Sequence, residues 1–151
     1  MRLALYQPDI PQNLGAIIRI AACFKAGLDI IEPCGFPLSD RQIKRVAMDY
    51  IDLVPVKRHN SWEDFLPTLK GRLLLLTVKA DANYYDFKFE ATDTLLLGQE
   101  SAGAPPKVHD AADARLRIPL NPAARSLNIA VAAAIVLSEG LRQTGQLSRL
   151  G

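Results

Sequence analysis

Three short groups of polar residues, each following an apolar segment, have the side-chain types that chemistry requires. The first is Asn13-Leu14-Gly15 with Arg19 further along the same segment. Asn13 can cap a helix, and Gly15 can let a ligand approach the backbone. The guanidinium of Arg19 interrupts an apolar run, and its planar donors could hold a phosphate or pair with a carboxylate at the domain edge. The residues alone leave both interpretations of Arg19 open.

The second group is the loop Gly98-Gln99-Glu100-Ser101-Ala102-Gly103, which follows an apolar segment at residues 94–97. In open α/β sheets, ligands bind outside the carboxyl ends of the strands, so a cofactor is expected at this loop. The alternative is a tight turn that leads from a strand into a helix. The chain contains no G-x-G-x-x-G fingerprint and no P-loop, which argues against a dinucleotide or a nucleoside triphosphate as cofactor.

The third group lies between Ile118 and Asn128, where another apolar segment leads through a loop into the longest predicted helix. Ser126 can cap that helix. Asn128 stands at the start of an apolar helix, where an amide lowers stability unless it is hydrogen-bonded. Two polar loops after two buried strands predict a small-molecule pocket, without identifying a reaction.

The elements that must position these groups are predicted from apolar periodicity and from proline and glycine. The predicted strands are Leu3–Tyr6, Leu28–Ile31, Asp52–Val56, Arg72–Val78, Thr94–Leu97 and Arg115–Ile118. The predicted helices are Gly15–Ala26 with Gly27 as its stop, one from Ser39 to about Met48, one from Ser61 to about Lys70, and Leu127–Gln143; Pro8 and Pro11 predict a loop over residues 7–13. Alternating strands and helices predict an α/β fold with a mainly parallel sheet.

The first half of the last helix, Leu127 to Leu137, is almost entirely apolar on every face. Such a helix must be buried all round. In a chain of 151 residues, that burial requires either a deep position in the domain or a partner subunit.

Composition favours one domain over residues 1–151, because 49% of the residues are hydrophobic and the chain is long enough to bury a core. The net charge of +2 permits nucleic-acid binding without requiring it. No signal-peptide pattern and no membrane-spanning stretch is found, so we expect a soluble, cytoplasmic protein. Cys23 and Cys34 form no metal-binding spacing, so we expect reduced thiols and no metal.

Taken together, the three groups resemble the ordered motifs of the SPOUT RNA 2′-O-methyltransferases. The motifs are Asn13-x-Gly15-x-x-x-Arg19, Leu97-Gly98-Gln99-Glu100-Ser101-x-Gly103, and Ile118-Pro119-Leu120 followed by Ser126-Leu127-Asn128. The resemblance covers the whole chain. It is closest to the small members without an added RNA-binding domain, which methylate the wobble nucleotide of tRNA, a cytidine or a modified uridine.

The resemblance implies a SPOUT-type α/β knot, with a mainly parallel sheet, helices on both faces and a deep C-terminal trefoil knot. Chains rarely thread a loop in this way. It also implies a homodimer through the first and last helices. S-adenosylmethionine would be held largely by backbone groups around Leu76, Gly98, Ile118 and Ser126, with Leu127 and Asn128 adjacent.

For catalysis, the resemblance implies that Arg19 is the general base that takes the hydroxyl proton, a role that requires its guanidinium to be desolvated or a phosphate to relay the proton. A free guanidinium holds its proton tightly and is a poor base, so the role we favour is that Arg19 binds the RNA phosphate and stabilises the developing alkoxide. The residues expected to position substrate and arginine are Asn13, Glu100, Ser126 and Asn128. Methyl transfer of this kind needs alignment and loss of a proton, not a metal.

RNA contacts are the point at which this chain departs from the family pattern. Ser101-Ala102 stands where the family often has Thr-Arg, so a basic residue is missing from that loop. We therefore expect tRNA to contact a basic surface formed by Arg41, Lys44, Arg45, Lys57 and Arg58. Two alternatives stay open: a non-catalytic knotted RNA-binding or ribosome-assembly module, and a SPOUT methyltransferase that acts on rRNA or on a base nitrogen. The pair Asn13 and Arg19 argues against base methylation.

Overall fold

The strands form a single parallel sheet in the computed structural model, which describes residues 1–80 and 82–151. Within those residues the strands are β1 (Arg2–Tyr6), β2 (Gly27–Ile31), β3 (Val56–His59), β4 (Leu73–Leu76), β5 (Ala82–Asn83), β6 (Thr94–Leu97) and β7 (Ala114–Arg117). Their order is β3-β2-β1-β6-β4-β7-β5, and every pairing is parallel. The predicted parallel sheet is therefore confirmed.

Helices cover both faces of this sheet. They are α1 (Pro11–Cys23), α2 (Asp40–Ala47), α3 (Trp62–Phe65), α4 (Pro106–Ala111) and α5 (Ile129–Gln143), with 3₁₀ turns at Met48–Leu53, Leu66–Thr68, Tyr84–Asp86 and Leu147–Arg149. Because successive strand residues point to opposite faces, Leu3 and Leu5 pack with α1, α2 and α5. Ala4 and Tyr6 pack with α3 and α4. The α/β class with helices on both faces is confirmed, while the trefoil knot stays a prediction.

The first helix begins four residues earlier than the sequence predicts. Pro11 is its first residue, because proline lacks only an N–H that the first turn leaves unpaired. The residue before the helix is Ile10, which makes no side-chain cap, so Asn13 lies inside the first turn and is not the cap. Gly27 was expected to end this helix but is the first residue of β2; the chain turns instead at Lys25, with φ 49°.

The third strand is the largest error of the sequence prediction. Residues 48–53 form a 3₁₀ turn, and the strand starts at Val56 and ends at His59. Its register is set by pairing with β2, where Val56 lies opposite Leu28. Lys57 and Arg58 are exposed on this edge strand. Because the strand contains these polar residues, it has no apolar run from which it could be predicted.

The last helix is not buried all round in the single chain. Val131 is 48% exposed and Leu127, which lies just before the helix, is 37% exposed, whereas Val136 and Leu137 are fully buried. One side of α5 therefore packs on the sheet and the other faces outward. None of the helices in the described part of the chain is long and apolar enough to cross a membrane.

Candidate active site

A cleft of about 500 Å³ opens beyond the carboxyl ends of β4, β6 and β7. These strands are neighbours in the sheet, so the loops that follow them converge at one edge. Its volume lies in the range of pockets that hold nucleoside-sized ligands. Its lining residues are Asn13, Leu76, Thr77, Val78, Lys79, Leu97, Gly98, Gln99, Glu100, Ala102, Gly103, Ala104, His109, Ile118, Leu120, Ser126, Leu127, Asn128, Ile129 and Ala132.

The residues predicted to hold a cofactor all line this cleft: Leu76, Gly98, Ile118, Ser126, Leu127 and Asn128. They come from three separate loops, and only the sheet brings them together. Leucine and isoleucine side chains supply apolar walls for a flat base, and the loop backbones supply polar groups. Among the cleft residues, lysine and arginine are represented only by Lys79, so this set suits a nucleoside with little negative charge better than a polyphosphate.

The loop after β6 is held in a narrow turn at the cleft wall. Gln99 and Gly103 exchange two backbone hydrogen bonds, of 3.0 and 2.9 Å. A Cβ atom on Gly98 would lie 2.5 Å from the carbonyl carbon of Gly103 and 2.6 Å from the nitrogen of Ala104. Gly103 itself has φ +70°, which favours glycine. Both glycines are therefore required by the shape of this wall.

Three predicted site residues are joined by side-chain hydrogen bonds at the mouth of the cleft. Nδ2 of Asn128 donates to Oδ1 of Asn13 at 2.9 Å. Nδ2 of Asn13 donates to Oε1 of Glu100 at 3.2 Å. This series links the start of α5, the first turn of α1 and the loop after β6, and it leaves the Glu100 carboxyl in a fixed orientation at the cleft.

Asn128 has a second role, because it is the N-cap of α5. Its Oδ1 accepts hydrogen bonds from the backbone N–H groups of Ala130 at 2.9 Å and Val131 at 3.3 Å. The expected cap, Ser126, is exposed and makes no cap bond. Ser126 still lines the cleft. The amide of Asn128 is thus satisfied by the helix on one side and by Asn13 on the other.

Glu100 also contacts Asp9, in the loop between β1 and α1. The Asp9 N–H donates to Oε2 of Glu100 at 3.2 Å, and the Glu100 N–H donates to Oδ1 of Asp9 at 3.1 Å. Burial raises the pKa of Glu100, and the Asp9 side chain raises it further. The hydrogen bond with Glu100, together with those from Ser101, lowers the pKa of Asp9 to about 2. Asp9 keeps the negative charge, and Glu100 is the carboxyl that holds a proton more readily.

Arg19 lies away from these residues in the same chain. It is exposed on α1 and does not line the cleft; its guanidinium carbon lies 4.7 Å from the ring centroid of Tyr50. This is a cation–π contact. Within residues 1–80 and 82–151 it has no carboxylate partner, so the pairing with a carboxylate that the sequence left open is not observed.

Gly15 has a packing function, contrary to the expectation that it faces a ligand. A Cβ atom there would lie 2.4 Å from the carbonyl oxygen of Val46, so Gly15 permits close contact of α1 with α2. The three named residues of the motif Asn13-x-Gly15-x-x-x-Arg19 therefore lie in different places. Asn13 lines the cleft, Gly15 lies at the contact of α1 with α2, and Arg19 lies on the exposed side of α1.

The basic residues expected to contact tRNA divide into two kinds. Arg41, Lys44 and Arg45 are exposed on α2, and Lys57 is exposed on β3. Arg58 instead binds its own chain, with Nε 2.8 Å from Oε1 of Glu32 and Nη2 2.9 Å from the carbonyl oxygen of Leu38. Arg58 therefore stabilises the loop after β2. The exposed cations that can contact a partner are Arg41, Lys44, Arg45 and Lys57.

Sequence reasoning missed Asp9, Lys79 and His109 at or beside the site. Lys79 and His109 line the cleft, but they follow β4 and lie in α4, away from the three recognised motifs. Asp9 is an acidic residue in the first loop after β1, which pairs with β6. Placing it beside Glu100 requires this strand order, which the sequence does not show.

Comparison with known proteins gives a consistent set of matches. The model of the SpoU rRNA Methylase family matches residues 1–138. The chain is 54% identical to the tRNA (cytidine(34)-2′-O)-methyltransferase of Beijerinckia indica subsp. indica over 98% of this chain and 94% of that protein. The protein of the same name from Ancylobacter novellus is 48% identical over 100% and 98%, and that of Escherichia coli is 36% identical over 96% and 94%.

Two solved structures extend the comparison. One, described as "Structural insights into the 2-OH methylation of C/U34 on tRNA", has a TM-score of 0.88 and 39% identity, with 94% of each chain covered. The SpoU methyltransferase AviRb from Streptomyces viridochromogenes, in complex with the cofactor AdoMet, has a TM-score of 0.83 and 26% identity. That alignment covers 95% of this chain and 60% of AviRb.

Proposed function

The chain belongs to the SpoU rRNA Methylase family, and we propose that it methylates the ribose 2′-hydroxyl of the wobble nucleotide of tRNA, position 34, using S-adenosylmethionine. The nucleotide would be a cytidine or a modified uridine. The observation that carries the proposal is the series Asn128–Asn13–Glu100 at the mouth of a nucleoside-sized cleft. Relatives that align over almost their whole length carry the corresponding name.

S-adenosylmethionine would occupy the cleft against Leu76, Gly98, Ile118, Ser126, Leu127 and Asn128. When bound, it supplies an electrophilic methyl group on a sulfonium centre. The apolar walls and the single lysine of the cleft fit this ligand, which carries a flat base and no phosphate. Among the described residues, the side chains of histidine, cysteine, aspartate and glutamate form no group of three or more that could hold a metal ion.

The residues of the series would orient the ribose and help it lose the hydroxyl proton. Asn13 and Asn128 hold each other and the Glu100 carboxyl in one geometry, so little reorganisation is needed when the ribose binds. Because the pKa of Glu100 is raised by burial, this carboxyl is suited to accept a proton at the mouth of the cleft. Arg19 would bind the RNA phosphate and stabilise the developing alkoxide.

The proposal includes a homodimer formed through α1 and α5. Val131 is an exposed apolar residue in the first turn of α5 and does not line the cleft, and a partner that covers it would remove this surface from water. Arg19 lies on the exposed side of α1, so in such a dimer it would face the partner subunit. This arrangement would bring the guanidinium of one subunit to the cleft of the other.

A mixed dimer tests this arrangement. We expect subunits with Arg19→Ala and subunits with Asn128→Ala to be strongly impaired alone and activity to recover when they are mixed, because each mixed dimer then has one intact site. If Arg19 acts within its own chain, both sites of the mixed dimer carry one defect and activity stays as low as that of either variant alone. Sedimentation velocity of each protein shows whether the dimer has formed.

The tRNA would contact Arg41, Lys44, Arg45 and Lys57 on the exposed side of α2 and β3, with Arg58 supporting the loop beside them. Such contacts neutralise phosphates and make affinity depend on salt. A tRNA substrate implies a cytoplasmic location for the protein.

The first experiment is to incubate the purified protein with methyl-labelled S-adenosylmethionine and total RNA from a strain that lacks it. We expect label on the 2′-hydroxyl of nucleotide 34 of tRNA. Label in rRNA or on a base would replace the proposed substrate, and the family description makes rRNA the alternative to examine in the same assay. Cofactor binding without transfer to either RNA would indicate a non-catalytic binding module.

A further inference from the structure

The loop after β1 carries a carboxylate for which the proposed reaction has no role. Besides the bond from the Glu100 N–H, Asp9 accepts hydrogen bonds on Oδ2 from the backbone N–H of Ser101 at 3.3 Å and from the Ser101 hydroxyl. All three donors belong to one turn of the loop after β6. The Asp9 N–H donates back to Glu100 at 3.2 Å. The two loops are therefore joined through both the backbone and the side chain of Asp9.

Asp9 also contacts the loop after β2. The Gly35 N–H donates to the carbonyl oxygen of Pro8 at 3.0 Å, and a Cβ atom on Gly35 would lie only 2.6 Å from Cβ of Asp9. The loop after β2 thus packs directly against Asp9, which also binds the Glu100–Ser101 turn. Contacts with these two loops limit the positions that the Asp9 carboxylate can take.

The two carboxyl oxygens of Glu100 consequently accept hydrogen bonds from two different partners. Its Oε2 faces the Asp9 N–H, and its Oε1 accepts from Asn13, which is bound in turn by Asn128. We propose that Asp9 is a positioning residue of the methyl transfer, acting through Glu100, because its carboxylate holds the Glu100–Ser101 turn so that the Glu100 side chain reaches Asn13 at the cleft. This inference rests on the proposed function.

The Asp9 side chain also changes the pKa of Glu100. Burial and the neighbouring Asp9 both raise the pKa of Glu100, whereas the pKa of Asp9 is lowered to about 2. Cys34 is a titratable group near this pair, and its pKa is raised to about 12 by burial and by Glu32, so it stays a neutral thiol. His109 and Lys79 also line the cleft, and the Glu32–Arg58 ion pair lies beside Cys34. Asp9 is the charged carboxylate in direct contact with Glu100.

The test compares Asp9→Asn with the native protein in single-turnover methylation of tRNA across pH. The amide removes both the charge and one acceptor, so we expect the single-turnover rate constant to fall roughly tenfold or more. Because the pKa of Glu100 then falls, the acidic limb of the rate profile should move to lower pH. S-adenosylmethionine binding should change less than about threefold, since Asp9 does not line the cleft.

Two further variants separate positioning from simple destabilisation. Asp9→Glu restores the charge, and its acidic limb should return to the native pH. Ser101→Ala removes one hydrogen bond to Asp9 and leaves its charge and its two backbone partners, so the limb should not move. The proposal is wrong if Asp9→Asn has the native rate and the native profile.

A carboxyl titration by ¹³C NMR provides a readout that needs no turnover. The native Glu100 carboxyl should titrate above its ordinary value of 4.5, and that of Asp9→Asn should titrate lower. A native value at or below 4.5 would overturn the inference even if Asp9→Asn did not fold. If the tRNA assay fails while the titration behaves as expected, the error lies in the proposed substrate and not in the relation of Asp9 to Glu100.

Discussion

The Nδ2 group of Asn128 donates a hydrogen bond of 2.9 Å to Oδ1 of Asn13, a residue 115 positions earlier in the chain. Each of these amides also serves its own region: Asn128 caps α5, and Asn13 binds the Glu100 carboxyl. The start of the last helix and the start of the first are therefore positioned by the same bond that completes the cleft. Stability and function can be separated here, because capping and the bond to Asn13 use different atoms.

Replacing Asn128 tests that separation. We expect Asn128→Ala to lower the free energy of unfolding by about 1 kcal/mol through loss of the cap. The methylation rate should fall roughly 100-fold, because Asn13 and Glu100 lose their support. Asn128→Ser is the matched control, since serine retains an acceptor for the cap but has no amide for Asn13. It should unfold near the native temperature and still be slow; a native rate in Asn128→Ser would contradict the role of the bond.

Gly98→Ala should weaken S-adenosylmethionine binding at least tenfold by calorimetry, a loss of about 1.4 kcal/mol or more. The added methyl group would meet backbone atoms of Gly103 and Ala104 at 2.5 and 2.6 Å, so the cleft wall must move. Gly145→Ala is the control: Gly145 has φ +67° and open space around it. That change should lower stability by about 1 kcal/mol and leave cofactor binding unchanged. Equal affinity of Gly98→Ala and the native protein would show that this wall does not touch the cofactor.

Single changes on α2 should weaken tRNA binding without lowering stability. Lys44→Ala and Arg45→Ala each remove an exposed cation, and each should reduce the slope of log affinity against log salt by about 1. Arg58→Ala should act differently, because Arg58 binds Glu32 and the Leu38 carbonyl. It should lower the melting temperature of the free protein. Salt slopes identical to the native value for both α2 variants would place the tRNA elsewhere on the surface.

The buried Asp93 gives a prediction for stability alone. It is fully buried and binds Arg72 through two hydrogen bonds, of 2.9 and 2.8 Å. Arg72→Ala leaves this carboxylate without its cation and should cost about 3 kcal/mol in urea unfolding. Lys107→Ala breaks the exposed pair with Glu63 and should change the free energy of unfolding far less, because water screens both charges. Similar losses for the two variants would mean that burial of Asp93 does not matter.

Much of the candidate site was predictable from local pattern. Apolar strands followed by polar loops identified the segments at Gly98, Ile118 and Ser126, and the structure brings these predicted residues to one cleft. The prediction succeeds because neighbouring parallel strands place their carboxyl ends at the same edge, whatever connects them. The element limits were less accurate, as the start of α1 and the position of β3 show.

What the sequence by itself determined was the class of the fold, the loops at the strand ends and the residue types in the cleft, because alternation and turn residues act over a few positions of chain. Only the tertiary structure decided that Asp9 lies against Glu100, that Asn128 bonds Asn13, and that Arg19 lies outside the cleft of its own chain. These relations depend on strand order and on contacts between residues about 90 or more positions apart. Local periodicity carries no information about such contacts, since they arise from the way the helices and loops pack around the completed sheet.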